Sequence, residues 1–267
     1  NFTSNQAGVS GGGMAMDGAS VTDTVGCAFS MNEAMTGAGG GIYGVMGSLF
    51  DSSASAAATE FTSNIAATTG GAVSLDSSNM TSTSDVFTSN TARTSHAGAI
   101  FLSSGLLTDS SSSFTSNKCQ LNGGAIASVG SVLSLSSSTF QMNNASTSDG
   151  GAVWANAGTT WTLAEDLTFV MNYASTSGGG VYTATDVTFS GTVCNFTSNS
   201  AGMTGGGLTM TAATVTDTFG CTFMTNEAMM GEGGGIYGMS ASTFDGTGTI
   251  FTMNTAEKTG GAANVDG

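Results

Sequence analysis

The chain is 267 residues long, with three Lys plus Arg against eighteen Asp plus Glu, a formal net charge of −15, 41 Gly, no Pro and 79 Ser plus Thr. That balance excludes a nucleic-acid binder, which needs a Lys/Arg footprint for the phosphate backbone where this chain offers Arg93, Lys118 and Lys258 alone. It is not a low-complexity linker either, because its 39% hydrophobic residues recur in phase, and no run of 18 or more apolar residues marks a transmembrane helix in this stretch.

The first element opens at Phe2, reads Phe-x-x-Asn as far as Asn5, places Ala7 two residues on, and closes a glycine run at Met14. The cadence restarts at Phe29, Phe61, Phe87, Phe114, Phe140, Phe169, Phe196, Phe223 and Phe251, a period of 26 to 32 residues that marks internal repeats. Every unit has its Asn three residues after the Phe: Asn5, Asn32, Asn64, Asn90, Asn117, Asn143, Asn172, Asn199, Asn226 and Asn254. Ala follows two residues later in nine units, and Cys119 fills that small slot in the other. The glycine runs end at Met14, Ile42, Val73, Ile100, Ile126, Val153, Val181, Leu208, Ile236 and Ala263. Alternation such as Val73-x-Leu75, Ile100-x-Leu102 and Val25-x-Cys27-x-Phe29 predicts two or three short, half-buried strands per unit.

A unit this short cannot bury its apolar face alone, and stacking neighbours removes the problem. The chain is therefore expected to be all-β, a right-handed parallel β-helix of about ten coils of roughly 27 residues. In that frame the ten Asn form an inward amide ladder, each side chain bonding its copies above and below. The ten Phe form an aromatic stack in the core. The Gly pairs serve turns that need positive φ or close approach between coils.

Gly123-Gly124-Ala125-Ile126 with Phe140 to Asn143, and Gly70-Gly71-Ala72-Val73 with Phe87 to Asn90, carry a resemblance to a known family. The pattern resembles the repeat of the chlamydial-type polymorphic outer membrane proteins. Their passenger regions are surface-exposed right-handed β-helices linked to adhesion, so the resemblance implies the same fold and exposure here. Several units depart from it by reading Gly-Gly-Gly, as at Gly39 to Gly41, and one reads Ala97-Gly98-Ala99.

A longer period overlies the first. Asn1 to Asn5 return as Asn195 to Asn199, Gly26-Cys27 as Gly220-Cys221, and Gly39 to Gly44 as Gly233 to Gly238. Residues 1–194 thus read as one seven-coil block and 195–267 as the start of a second copy, the whole of 1–267 being a single β-helix segment of a longer repeat protein. Self-association, or continuation of the same chain end to end, is the expected partner relation. Cys194 and Cys221 occupy the same slot in successive coils, at about one strand spacing, and are candidates for a disulfide of an extracellular protein; two buried thiols are the alternative. Sequons for glycosylation stand at Asn1, Asn79, Asn144 and Asn195, with Asn1 and Asn195 expected to point outward.

Catalysis finds little support. One His, His96, is assigned to a surface turn in place of a first glycine, and the acids are dispersed and assigned to solvated faces, including the adjacent pair Glu165-Asp166 and the block copies Asp23 and Asp217. No catalytic group, metal site or cofactor is expected. Two functional classes remain open: an extracellular rod or filament shaft, and a cell-surface adhesin with a glycan or other surface partner. The long insert between Ile42 and Phe61, together with Trp154 and Trp161 if exposed, would present the adhesin's loops. The run Thr214-x-Thr216-x-Thr218 suggests an ice-binding face, but it does not recur in successive coils.

Overall fold

The computed structural model describes residues 1–266 apart from 157, 164, 165, 186, 192, 218 and 219, with backbone alone for 162, 163, 188–191, 216 and 217. Glu165 and Thr218 therefore lie outside the described residues, as do the side chains of Thr216 and Asp217.

A parallel β-solenoid results. Among the described residues its strands form three ten-stranded sheets and one nine-stranded sheet, so nine turns are completed by four strands and a tenth by three. Numbering turns by their Phe, turn four contributes Val86–Thr88 to the first sheet, Thr91–Ala92 to the second, Ile100–Ser103 to the third and Leu106–Ser110 to the fourth. All strands pair in parallel with their equivalents in adjacent turns, as Phe87 with Phe114, Ala92 with Cys119, Ile100 with Ile126 and Leu107 with Leu133. Four strands per turn exceed the two or three expected from the sequence. The second-sheet strand is only two residues long, too short to show any alternation.

Inward residues of the first, third and fourth sheets build one continuous core that includes Phe87, Ile100, Leu102 and Leu107, all fully buried. Its stability is hydrophobic in origin, on the order of 2 kcal/mol for each large side chain withdrawn from water. The second sheet contributes only its small column, where Ala92, Cys119 and Ala145 pack together.

Two corners fix the path. Between each Phe and its Asn the chain passes through a left-handed residue, Ser4, Met31, Ser63, Ser89, Ser116, Met142, Met171, Ser198, Thr225 and Met253, with φ between 52° and 57° and no glycine among them. At the next corner the two glycines have different reasons. Gly70 has φ +63 and a Cβ there would fall against the Val73 carbonyl oxygen, yet its counterpart in turn four is Ala97 at φ +61, so that corner can shift within its own turn. Gly71 has ordinary φ but lies against the second sheet of the next turn, where a Cβ would come within 2.5 Å of the Thr91 nitrogen.

Candidate functional site

The Asn side chains at the corner between first and second sheets form an unbroken ladder. Asn90 Nδ2 donates to Asn117 Oδ1 at 3.0 Å and to the Phe61 carbonyl at 2.8 Å, while its backbone N–H donates to the same Asn117 Oδ1. Each interior amide thus uses both its donors and both its lone pairs, which a carboxylate could not do. The ladder runs without a break from Asn5 to Asn254. Beside it the Phe rings stack, from Phe2 on Phe29 at 4.5 Å to Phe223 on Phe251 at 5.2 Å, with planes within 14°. Parallel pairing in perfect register leaves these rings no choice but face-to-face contact. Cys194 and Cys221 are joined by a disulfide across turns eight and nine, with Cα atoms 4.5 Å apart, while Cys27 and Cys119 are free.

The opposite corner, from the fourth sheet back to the first, corrects the expectation of dispersed, solvated acids. Asp23, Asp85 and Asp109 are all buried. Asp23 accepts from the Thr59 hydroxyl at 2.7 Å and from the N–H groups of Val25, Gly26 and Cys27. Burial pushes its carboxyl up, but Thr59, Val25 and Cys27 outweigh this and hold it at about 2. Asp85 accepts from Ser52 Oγ at 2.5 Å and from Thr59 N–H at 3.1 Å. Burial pushes it up to about 7 against those two bonds, and the charges of Asp109 and Asp23 add to the rise. Asp109 projects into the core in register with Ser82 and Leu135, takes hydroxyl bonds from Ser82 and Ser138, and is raised by burial. Sealed from solvent, Asp85 and Asp109 offer no substrate a way in. They satisfy buried backbone and hydroxyl groups where no Asn ladder runs.

His96 is not a surface turn residue in a glycine's place; Ala97 takes that place. The His96 ring is half-buried, stacked on Trp154 at 5.2 Å, and its buried Nδ1 has no hydrogen-bond partner. Burial holds it below its ordinary value. Trp154 is 8% exposed and Trp161 fully buried, so neither presents a ring to solvent as the adhesin reading required. Part of the long insert is itself the fourth-sheet strand Leu49–Asp51, which leaves a shorter loop with Ser53, Ala54, Ala56 and Ala57 exposed. Of the sequons, Asn1 and Asn79 are exposed, whereas Asn144 and Asn195 are half-buried on outward strand positions. Among the described residues no group of three or more His, Cys, Asp or Glu gathers to hold a metal ion, and no helix is long and apolar enough to cross a membrane.

A surface cleft of about 390 Å³ crosses turns four to six on the outside of the second sheet, and the repeat pattern had not revealed it. Two of the chain's three basic residues, Arg93 and Lys118, line it with Thr91, Gln120, Ser146 and Thr147. Parallel pairing of Thr91 with Lys118 brings together residues far apart in the chain. Arg93 also reaches Glu33 with an Nη1 to Oε1 distance of 2.6 Å, partly in solvent. Ala92 and Cys119 lie beneath it on the inward side of the sheet, where burial pushes the Cys119 thiol up to about 12, so no charge sits under the cleft.

The family model of the Chlamydia polymorphic membrane protein repeat matches residues 111–129, the stretch that runs from the first to the third sheet of turn five and includes Phe114, Asn117 and Gly123-Gly124-Ala125-Ile126. No curated protein and no solved structure matches the chain.

Proposed function

We propose that this protein is a non-enzymatic structural protein of the cell surface, a rigid β-helical rod or filament shaft built from stacked turns. The observation that carries this reading is the fully satisfied Asn ladder beside the Phe stack, which couples every turn to both neighbours along the axis. A solenoid bonded this way resists bending and lengthens by adding turns, about 4.8 Å for each. The polymorphic membrane protein repeat in turn five supports a surface-associated, outer-membrane setting. A disulfide between turns eight and nine favours an oxidising one. The near repeat of residues 1–51 as 195–245, at an offset of 194, supports growth by duplication of seven-turn blocks, with turn eight stacking on turn seven as any added block would.

Immunogold labelling of intact cells combined with negative-stain electron microscopy tests the reading. Uniform rods or fibres at the cell periphery are the expected result. Labelling confined to the cell interior, or compact particles of no fixed long axis, would overturn it.

A further inference from the structure

We propose that the cleft of turns four to six is a binding site for a carboxylated saccharide. The inference does not depend on whether turns assemble into a filament. A chain of net charge −15 repels anions at long range, and among its three basic residues two line one cleft on successive turns. The cleft's volume lies toward the small end of ligand sites, roughly 300–1,000 Å³, which suits a short saccharide rather than an extended chain. The overall charge selects further: a polysulfated chain would meet the repulsion of the whole solenoid, whereas a sugar bearing a single carboxylate meets mainly the local field.

The lining fits that ligand group by group. Lys118, which is exposed and makes no ion pair among the described residues, supplies a point charge for the carboxylate. Arg93 supplies a planar fork that can donate two parallel bonds to a carboxylate once Glu33 is displaced, an exchange eased because their ion pair is partly solvated. Thr91, Gln120, Ser146 and Thr147 carry hydroxyl and amide groups that match sugar hydroxyls.

The test uses the full chain and saturation-transfer NMR titrations with methyl β-glucuronide, the methyl glycoside of N-acetylneuraminic acid, and methyl β-glucoside. At least one acidic glycoside is expected to bind about tenfold tighter than the neutral one, as loss of a hydrogen bond to a charged group would dictate. Lys118→Gln is expected to remove that preference, Lys258→Gln to leave it intact, and Glu33→Gln to tighten binding severalfold by freeing Arg93. Circular dichroism melting of each variant separates loss of the site from loss of the fold. Equal binding of acidic and neutral glycosides, binding of none of the three, or a preference that survives Lys118→Gln in a folded protein would each overturn the proposal.

Discussion

The corner between the first and second sheets and the corner between the fourth and first solve the same problem in opposite ways. Both must satisfy polar groups inside a column whose neighbours are copies of themselves. At the first, one residue type repeats, and its amide both gives and takes, so ten identical side chains close the account without a charge. At the second, hydroxyls and carboxylates differ from turn to turn, and spacing varies too: fourteen residues separate Ile100 from Phe114, against nineteen between Ile42 and Phe61. A self-complementary group makes a repeat uniform. Where donors and acceptors lie on different residue types, turns become individual.

The largest test of this contrast is steric and lies beside the ladder. Gly71→Ala drives a Cβ against the Thr91 backbone of the next turn, and neither partner is a flexible side chain. It should cost on the order of 3 kcal/mol or more, seen as early exchange of amides in turns three to five. Gly70→Ala also meets backbone, its Cβ falling against the Val73 carbonyl oxygen, but Ala97 at φ +61 shows that this corner can shift to admit one, and a smaller loss of about 1–2 kcal/mol is expected. Equal losses for the two would remove the distinction between a corner that can shift to admit a Cβ and a contact between turns that cannot.

The ladder itself comes next. Asn117→Ala leaves Asn90 N–H, Asn90 Nδ2 and the Phe87 carbonyl without their partner, an expected loss of about 3 kcal/mol. On the irregular side, Ser82→Ala removes one hydroxyl from Asp109 but leaves Ser138 bonded to the same carboxyl, and about 1 kcal/mol is expected. Chemical denaturation followed turn by turn through hydrogen exchange would compare the two, since a solenoid need not unfold as one unit.

Titration distinguishes the corners without mutation. Asp85 is raised to about 7, so the stability tied to its protonated form is full below the ordinary carboxylate range and is lost as pH rises through 7. The protonated carboxyl can donate to the Ser52 oxygen while Ser52 donates to the Thr81 carbonyl, so the neutral acid is as well bonded as the ion. Asp23 is held at about 2, and its contribution is present above the ordinary range and lost as pH falls toward 2. Alkali should therefore loosen turns two to four and strong acid turns one to three. Asp85→Asn should flatten the alkaline limb alone, measured as exchange protection from pH 5 to 9.

How much of this could be read from the chain follows the same division. Phe87, Asn90 and Ala92 hold one role in every turn, so their period showed both fold and ladder before any coordinates. Asp109 was legible in principle, since Leu107-x-Asp109 alternates and places the acid on the inward face, but its charge argued for solvent. Lys118 and Arg93 gave no such signal, because the cleft exists only once a parallel register sets one turn against the next. The two-residue strand Thr91–Ala92 was invisible for lack of length.

The left-handed corner escaped reading for a different reason, and it yields the smallest expected effect. Ser, Met and Thr occupy all ten positions between Phe and Asn where glycine would be the usual choice. Each stores local strain of roughly 1 kcal/mol, which the ladder and stack on either side hold in place. Ser89→Gly relieves that strain but gives the unfolded chain more freedom, and the two terms nearly cancel, so a shift within about 0.5 kcal/mol is expected. Ser89→Val puts a branched side chain at φ 56 and should cost about 2 kcal/mol. The same pair of substitutions at Ser110, an outward strand position of the fourth sheet, should reverse the order, with valine tolerated and glycine weakening the strand. Thermal melts of the four variants decide it. If valine is tolerated equally at both sites, the ladder does not impose the corner's geometry, and the regular side is no more constrained than the irregular one.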